Sequence, residues 1–153
     1  MRAVVQRVSR AEVRVDEEVV GRIGAGLLIL TGIAADDTPE AAKALAAKVM
    51  NLRILDDGSG RMNCSILERG GGVLCVSQFT LYGDARRGRR PSYIEAASPA
   101  QAEPLFEGFV EEVRALAFPR GIRVESGRFQ AMMEVDLVND GPVTILLDTN
   151  KVF

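Results

Sequence analysis

Two short stretches, Leu27 to Leu30 and Val73 to Val76, are apolar at every position. Runs of this length read as central strands, and the second, bounded on its N-terminal side by Gly70, Gly71 and Gly72, suits a strand covered on both faces. That second strand then changes character. Ser77, Gln78 and Thr80 place two hydroxyls and an amide within four residues, while Phe79, Leu81 and Tyr82 keep the segment anchored. A strand end that exchanges core residues for hydroxyls is a common place for a functional site, because a rigid element holds the reactive groups. Ser and Thr are also ordinary strand residues, so the motif alone does not decide. A second stretch, Val138 to Ile145, adds weight. Asn139-Asp140-Gly141-Pro142 is a turn by its residue chemistry, followed by another apolar strand.

Around these stretches the chain reads as α+β. Ala3 to Ser9 and Ala11 to Val15 alternate as strands, Asp16-Glu17-Glu18 makes a polar turn, and Val19 to Ile23 returns as a hairpin partner. Thr38 followed by Pro39 marks a helix start, and Ala41, Ala42, Leu45, Ala46, Val49 and Leu52 recur at helical spacing. Arg53 to Leu55 reads as a short strand, and Ser65 to Glu68 leads into the glycine turn. Ser98-Pro99-Ala100-Gln101 signals a second helix, with Gln101 placed for a capping box and Leu105, Phe106, Phe109, Val110, Val113 and Leu116 on its apolar face. Phe118 to Gly121 ends that helix, and Ile122 to Glu125, Met132 to Val138 and Val143 to Asp148 read as strands. The expectation is one domain over residues 1–153, with antiparallel-rich sheets closed or packed barrel-like and two main helices outside.

Composition removes several function classes. The 153 residues contain no histidine, so Ser-His-Asp or Cys-His nucleophile pairs and His-based zinc sites are impossible. Cys64 and Cys75 lack CxxC spacing and read as reduced structural thiols; no catalytic metal and no cofactor are expected. No apolar run approaches the roughly 18 residues of a membrane span, and the N-terminus alternates where a signal peptide would be apolar, which gives a cytoplasmic expectation. A formal net charge of -2 argues against indiscriminate nucleic-acid binding. Local charge differs: Arg86, Arg87, Arg89 and Arg90 crowd the loop after the SQFTLY segment. That loop reads either as a solvated surface or as a grip for phosphates, and its place beside the candidate site favours the grip.

SQFTLYGD at Ser77 to Asp84, RGRRPSY at Arg87 to Tyr93 and LVNDGPVTILLD at Leu137 to Asp148, with VVQRVSRAEVRVD and MNCSIL upstream, resemble the D-aminoacyl-tRNA deacylase family. The resemblance spans essentially the whole chain. It departs at Tyr93, where a Phe is more typical, and at Cys64, a variable position. It implies hydrolysis of the ester between a D-amino acid and the 3'-terminal adenosine of tRNA, extending to glycine mischarged on tRNA(Ala). It further implies a homodimer with active sites at the interface, Ser77, Gln78, Phe79 and Thr80 as the catalytic set, and tRNA contact through Arg86, Arg87, Arg89 and Arg90. Gly141-Pro142 would be a cis peptide reaching into the partner's pocket as a chirality filter, with Met133 and Asn139 in the same selection site. Pocket contacts discriminate similar substrates by about 1 to 3 kcal/mol, whereas sparing the L-aminoacyl pool needs roughly 5.5, so rejection by a rigid backbone wall suits the task.

For the reaction itself, Thr80 as nucleophile has no base in its motif. The alternative has backbone N–H groups near Phe79 and Thr80 stabilising the oxyanion, Ser77 and Gln78 orienting the substrate, and the RNA 2'-OH helping to activate water. Two other classes compete: a non-catalytic nucleic-acid-binding dimer using the arginine loop with Phe79 and Tyr82, and a general esterase with a Thr nucleophile.

Overall fold

The computed structural model describes residues 1–153. In chain order the elements are β1 (Arg2–Val15), β2 (Glu18–Ile23), β3 (Gly26–Gly32), α1 (Pro39–Met50), β4 (Leu55–Asp56), β5 (Met62–Cys64), α2 (Ile66–Arg69), β6 (Gly72–Ser77), α3 (Pro99–Ala117), β7 (Arg123–Ser126) and β8 (Glu134–Asp148). Short 3-10 turns follow β6 at Phe79–Tyr82 and α3 at Phe118–Arg120.

The long strand β1 carries three neighbours. Its first half pairs antiparallel with β3 and its second half with β2, while β8 runs antiparallel along the opposite edge. Beyond β3 lie β6 and then β7, each parallel to its neighbour, so the sheet is mixed. It curls until its ends meet: a Cβ built on Gly21 of β2 would lie 3.1 Å from the Ser126 carbonyl oxygen of β7. The result is a nearly closed, barrel-like α+β domain.

Curling explains the two fully apolar runs. Inside the barrel, Val8, Ala11, Val13, Ile23, Leu28, Leu74 and Val76 form one core cluster. On the outer face, Leu27, Ile29, Val73 and Cys75 join a larger cluster with α1 and α3. Strand β6 therefore buries both faces, as its continuous apolar sequence demands. Helix α1 starts where the Thr38–Pro39 signal placed it, with the Thr38 hydroxyl accepting from the Ala41 amide, and buries Ala42, Leu45, Ala46, Val49 and Met50. Helix α3 runs on through Pro104 to Ala117 and buries Phe106, Phe109 and Val113. No helix is long and apolar enough to cross a membrane.

Four local expectations change. The Ser98 hydroxyl donates to the Gln101 side chain and accepts from no α3 amide, so that capping box does not form. The box forms instead at Ser65 and Glu68, where a single helical turn replaces the expected connection. The short strand lies at Leu55–Asp56 and shares only Leu55 with the expected Arg53 to Leu55, because it pairs with Met62–Cys64. Finally, the Asn139 to Pro142 segment does not reverse the chain. Both flanks pair with β1, Gln6 with Thr144 and Val8 with Asn139, so residues 140–143 stand opposite Arg7 alone and bulge out of one continuous strand.

Candidate active site

Strands β3 and β6 run in register, with Thr31 opposite Ser77, and stop at the same end of the barrel. There the Gln78 amide donates to the Thr31 carbonyl at 2.8 Å, and the chain turns into the Phe79–Tyr82 3-10 turn. Gly32 permits this: a Cβ on it would meet Leu81 Cβ at 3.0 Å and the Gln78 carbonyl at 3.1 Å. Tyr82 seats the turn in the core, its ring covered by the Arg2 guanidinium at 4.4 Å, and burial pushes its phenol above the ordinary range. At the start of the turn the Phe79 and Thr80 amides have no acceptor within it, since the first 3-10 bond runs from Leu81 to Gln78.

A cavity of about 540 Å³ opens against this corner. Its walls are the strand ends (Thr31, Val76, Ser77), Gln78 and Phe79, the returning loop (Tyr93, Ala96, Ala97), the start of α3 (Pro99, Ala102), the loop Phe129 to Met133, and Val135. The loop is held in place by bridges from Asp84 to Ser92 and from Ala34 to Ala96. Phe79 meets the Tyr93 ring edge-on at 5.2 Å on the rim. Phe79 is 59% exposed and Met132 91%, so the mouth presents large apolar side chains to whatever enters.

Of the residues singled out from sequence, Ser77, Gln78, Phe79 and Met133 line this cavity. Thr80 stands just outside it, exposed, and accepts a hydrogen bond from the Gln78 side chain. No His, Lys or carboxylate lies on the cavity wall, so nothing there would act as general base toward Thr80. Asn139, Gly141 and Pro142 do not line the cavity of their own chain. They form the bulge of β8, in which the Gly141–Pro142 peptide is cis and Gly141 has φ +119°. Asn139 clamps its neck, accepting from the Val143 amide and donating to Thr144. Arg7 fastens it to the body: Nε donates to the Asp140 carbonyl at 3.2 Å and lies 3.0 Å from its carboxylate, while Nη1 donates to the Ile54 carbonyl.

The four arginines also divide. Arg86 folds back on Asp84 through both carboxylate oxygens, which holds the Asp84 carboxyl down at about 2. Arg87, Arg89 and Arg90 are exposed in the same loop. The sequence reading did not pick out Tyr93, Phe129, Thr31 or Arg7 as site residues. Tyr93 ends the RGRRPSY segment, and its aromatic ring beside an arginine-rich run is a usable signal. Arg7 and Thr31 sit in strands whose patterns read only as structure.

The comparisons agree over the whole chain. The family profile described as D-Tyr-tRNA(Tyr) deacylase matches residues 4–148. A D-aminoacyl-tRNA deacylase of Symbiobacterium thermophilum is 61% identical over 100% of this chain and 99% of its own, and one of Thermosipho melanesiensis is 55% identical over the full length of both. A solved structure named c-Myc DNA Unwinding Element Binding Protein superposes with a TM-score of 0.89 at 40% identity, covering 97% of this chain and 98% of that one. With a profile match from end to end of the barrel and full-length relatives above half identity, this chain belongs to the D-Tyr-tRNA(Tyr) deacylase family, a family of hydrolases.

Proposed function

We propose that the protein hydrolyses the ester joining a D-amino acid to the 3'-terminal adenosine of tRNA, and that it rejects the L-aminoacyl ester. The observation that carries this reading is the cavity at the β6 end. It joins hydroxyl and amide groups from Ser77 and Gln78 to two rim aromatics and two unpartnered amides at the turn, with no side-chain base. Such a site binds a nucleoside and polarises a carbonyl. The Phe79 and Thr80 amides serve as the oxyanion donors, and the substrate's own 2'-OH helps to activate water. Thr80 positions the Gln78 side chain. The exposed Arg87, Arg89 and Arg90 meet tRNA phosphates.

In this reading the working unit is a homodimer. The outer edge of β8 pairs with no strand, over a length of 15 residues, and Val138 and Leu146 on it are exposed. A long free edge of this kind is a template for pairing with another chain. The Asn139 to Pro142 bulge is braced on its own chain yet lies off its own cavity, so its use in selection requires a second copy, with Met133 on the receiving wall. The bulge excludes the L side chain by its backbone. Glycine has no side chain to exclude, so glycyl-tRNA(Ala) is also admitted.

The test is hydrolysis of matched D-tyrosyl-tRNA and L-tyrosyl-tRNA, with a chelator present. The reading expects D turnover alone, unchanged by the chelator, and new L turnover on replacing Pro142. The 40% identity to a protein named for DNA binding favours one competing role, nucleic-acid binding without chemistry. Tight tRNA binding with neither ester cleaved would establish that role and sink the proposal.

A further inference from the structure

Resting on that reading, we infer that Thr31 is a positioning residue: its hydroxyl orients the Ser77 hydroxyl toward the substrate. Thr31 is 0% exposed, and its Oγ1 alone among the buried side-chain polar atoms has no hydrogen-bond partner in the protein. Native interiors rarely keep such an orphan without a reason. This orphan lies under the cavity. Thr31 and Ser77 are direct partners in the parallel β3–β6 ladder, and partners in register project from the same face of a sheet. Both line the cavity, and the Thr31 carbonyl already holds the Gln78 amide next to Ser77.

The difference in burial assigns the roles. Thr31 borders the cavity with none of its surface open to solvent, whereas Ser77 is half-buried and presents surface to it. A hydroxyl offers one donor and two acceptor sites. Ser77 can therefore accept from Thr31 Oγ1 while donating its own proton to an oxygen or nitrogen of the bound nucleoside. Donation from Thr31 fixes the Ser77 rotamer and polarises its O–H, which strengthens the outward bond. The substrate, by fixing Ser77 from the other side, completes the chain that leaves Thr31 unpaired in the free protein.

The experiment is a double-mutant cycle on D-tyrosyl-tRNA hydrolysis, with thermal melts of each variant. Thr31→Val keeps the shape and removes the hydroxyl. It should lower kcat/KM about three- to tenfold, while the Tm holds or rises because a buried unsatisfied group has gone. In a Ser77→Ala background the same change should cost less than about twofold, since the group through which Thr31 acts is absent. Thr31→Ser against Thr31→Ala removes the methyl in both and reads the hydroxyl alone; the serine should retain the kcat/KM that the alanine loses. Wild-type kinetics in Thr31→Val, or a loss that adds fully to that of Ser77→Ala, would overturn the role. A wild-type protein that cleaves neither ester would overturn the deacylase reading itself, and is told apart by that control.

Discussion

Substituting Gly32 by alanine tests whether the 3-10 turn is held where the chemistry needs it. The added Cβ would lie 3.0 Å from Leu81 Cβ, 3.1 Å from the Gln78 carbonyl oxygen and 3.2 Å from Tyr82 Cδ2. All three belong to the turn or to Gln78 just before it, so the strain falls on one unit. Gly32 does not occupy the left-handed region, so alanine brings no backbone penalty and the effect is steric. Relief requires the turn to move by a few tenths of an ångström. Overpacking of this kind costs about 1–3 kcal/mol; for a single methyl against a ring edge and a backbone oxygen we expect the lower half. At roughly 2–4 °C per kcal/mol for a chain of this size, the Tm falls by about 2–8 °C. Catalysis should suffer more than stability. A 1 Å misplacement can cost about a hundredfold, so a third of that displacement of the Phe79 and Thr80 amides should lower kcat about fivefold with little change in KM. Calorimetry and steady-state deacylation on Gly32→Ala read both, with Gly24→Ala as control, since a Cβ there meets nothing within 4 Å. Full turnover by Gly32→Ala, with its Tm lowered as expected, would refute the claim that the turn's position sets the rate.

Arg7→Met removes the guanidinium that ties the bulge, through its Asp140 carbonyl, to β1 and the Ile54 carbonyl; it should cost about 1.5–3 kcal/mol in a denaturant titration and reduce the ratio of D to L turnover. Asp84→Asn frees Arg86 from its ion pair, so the slope of log K for tRNA against log salt should steepen by about one, while Arg89→Ala should flatten it by about one. The Asp84 carboxyl titrates at about 2 in the folded protein because of Arg86, below its ordinary value. The stabilisation from that pair is therefore present above about pH 4 and lost as the pH falls through 2, and the Asp84 carboxyl resonance followed by NMR should show its midpoint there. Burial pushes the Cys75 thiol up to about 12, so at pH 8 a thiol reagent should label half-buried Cys64 in the native protein and reach Cys75 only on unfolding. The same shift makes Cys75 a source of stability that declines as the pH rises from about 9 toward 12.

Local chemistry determined much of this protein from sequence. The Thr38–Pro39 start fixed α1, the apolar spacing of α3 fixed its buried face, and the unbroken Val73 to Val76 run required a strand covered on both sides. The lack of histidine closed the usual nucleophilic routes, and Ser77, Gln78 and Phe79 of the polar strand end lie on the cavity wall. Each of these follows from interactions within a few residues, or from a residue type that cannot be replaced. What tertiary structure alone decided depends on which strand lies beside which. Asn139 to Pro142 has turn chemistry, but pairing of both flanks with β1 makes it a bulge, because the ladder hydrogen bonds on either side outweigh the local tendency to reverse. Arg7 reads as one polar position in an alternating strand until that bulge is set opposite it. Thr31 reads as an ordinary strand residue until parallel pairing puts Ser77 beside it and tertiary packing seals its hydroxyl from water. Partners more than forty residues apart make these roles, and no local pattern in the chain records them.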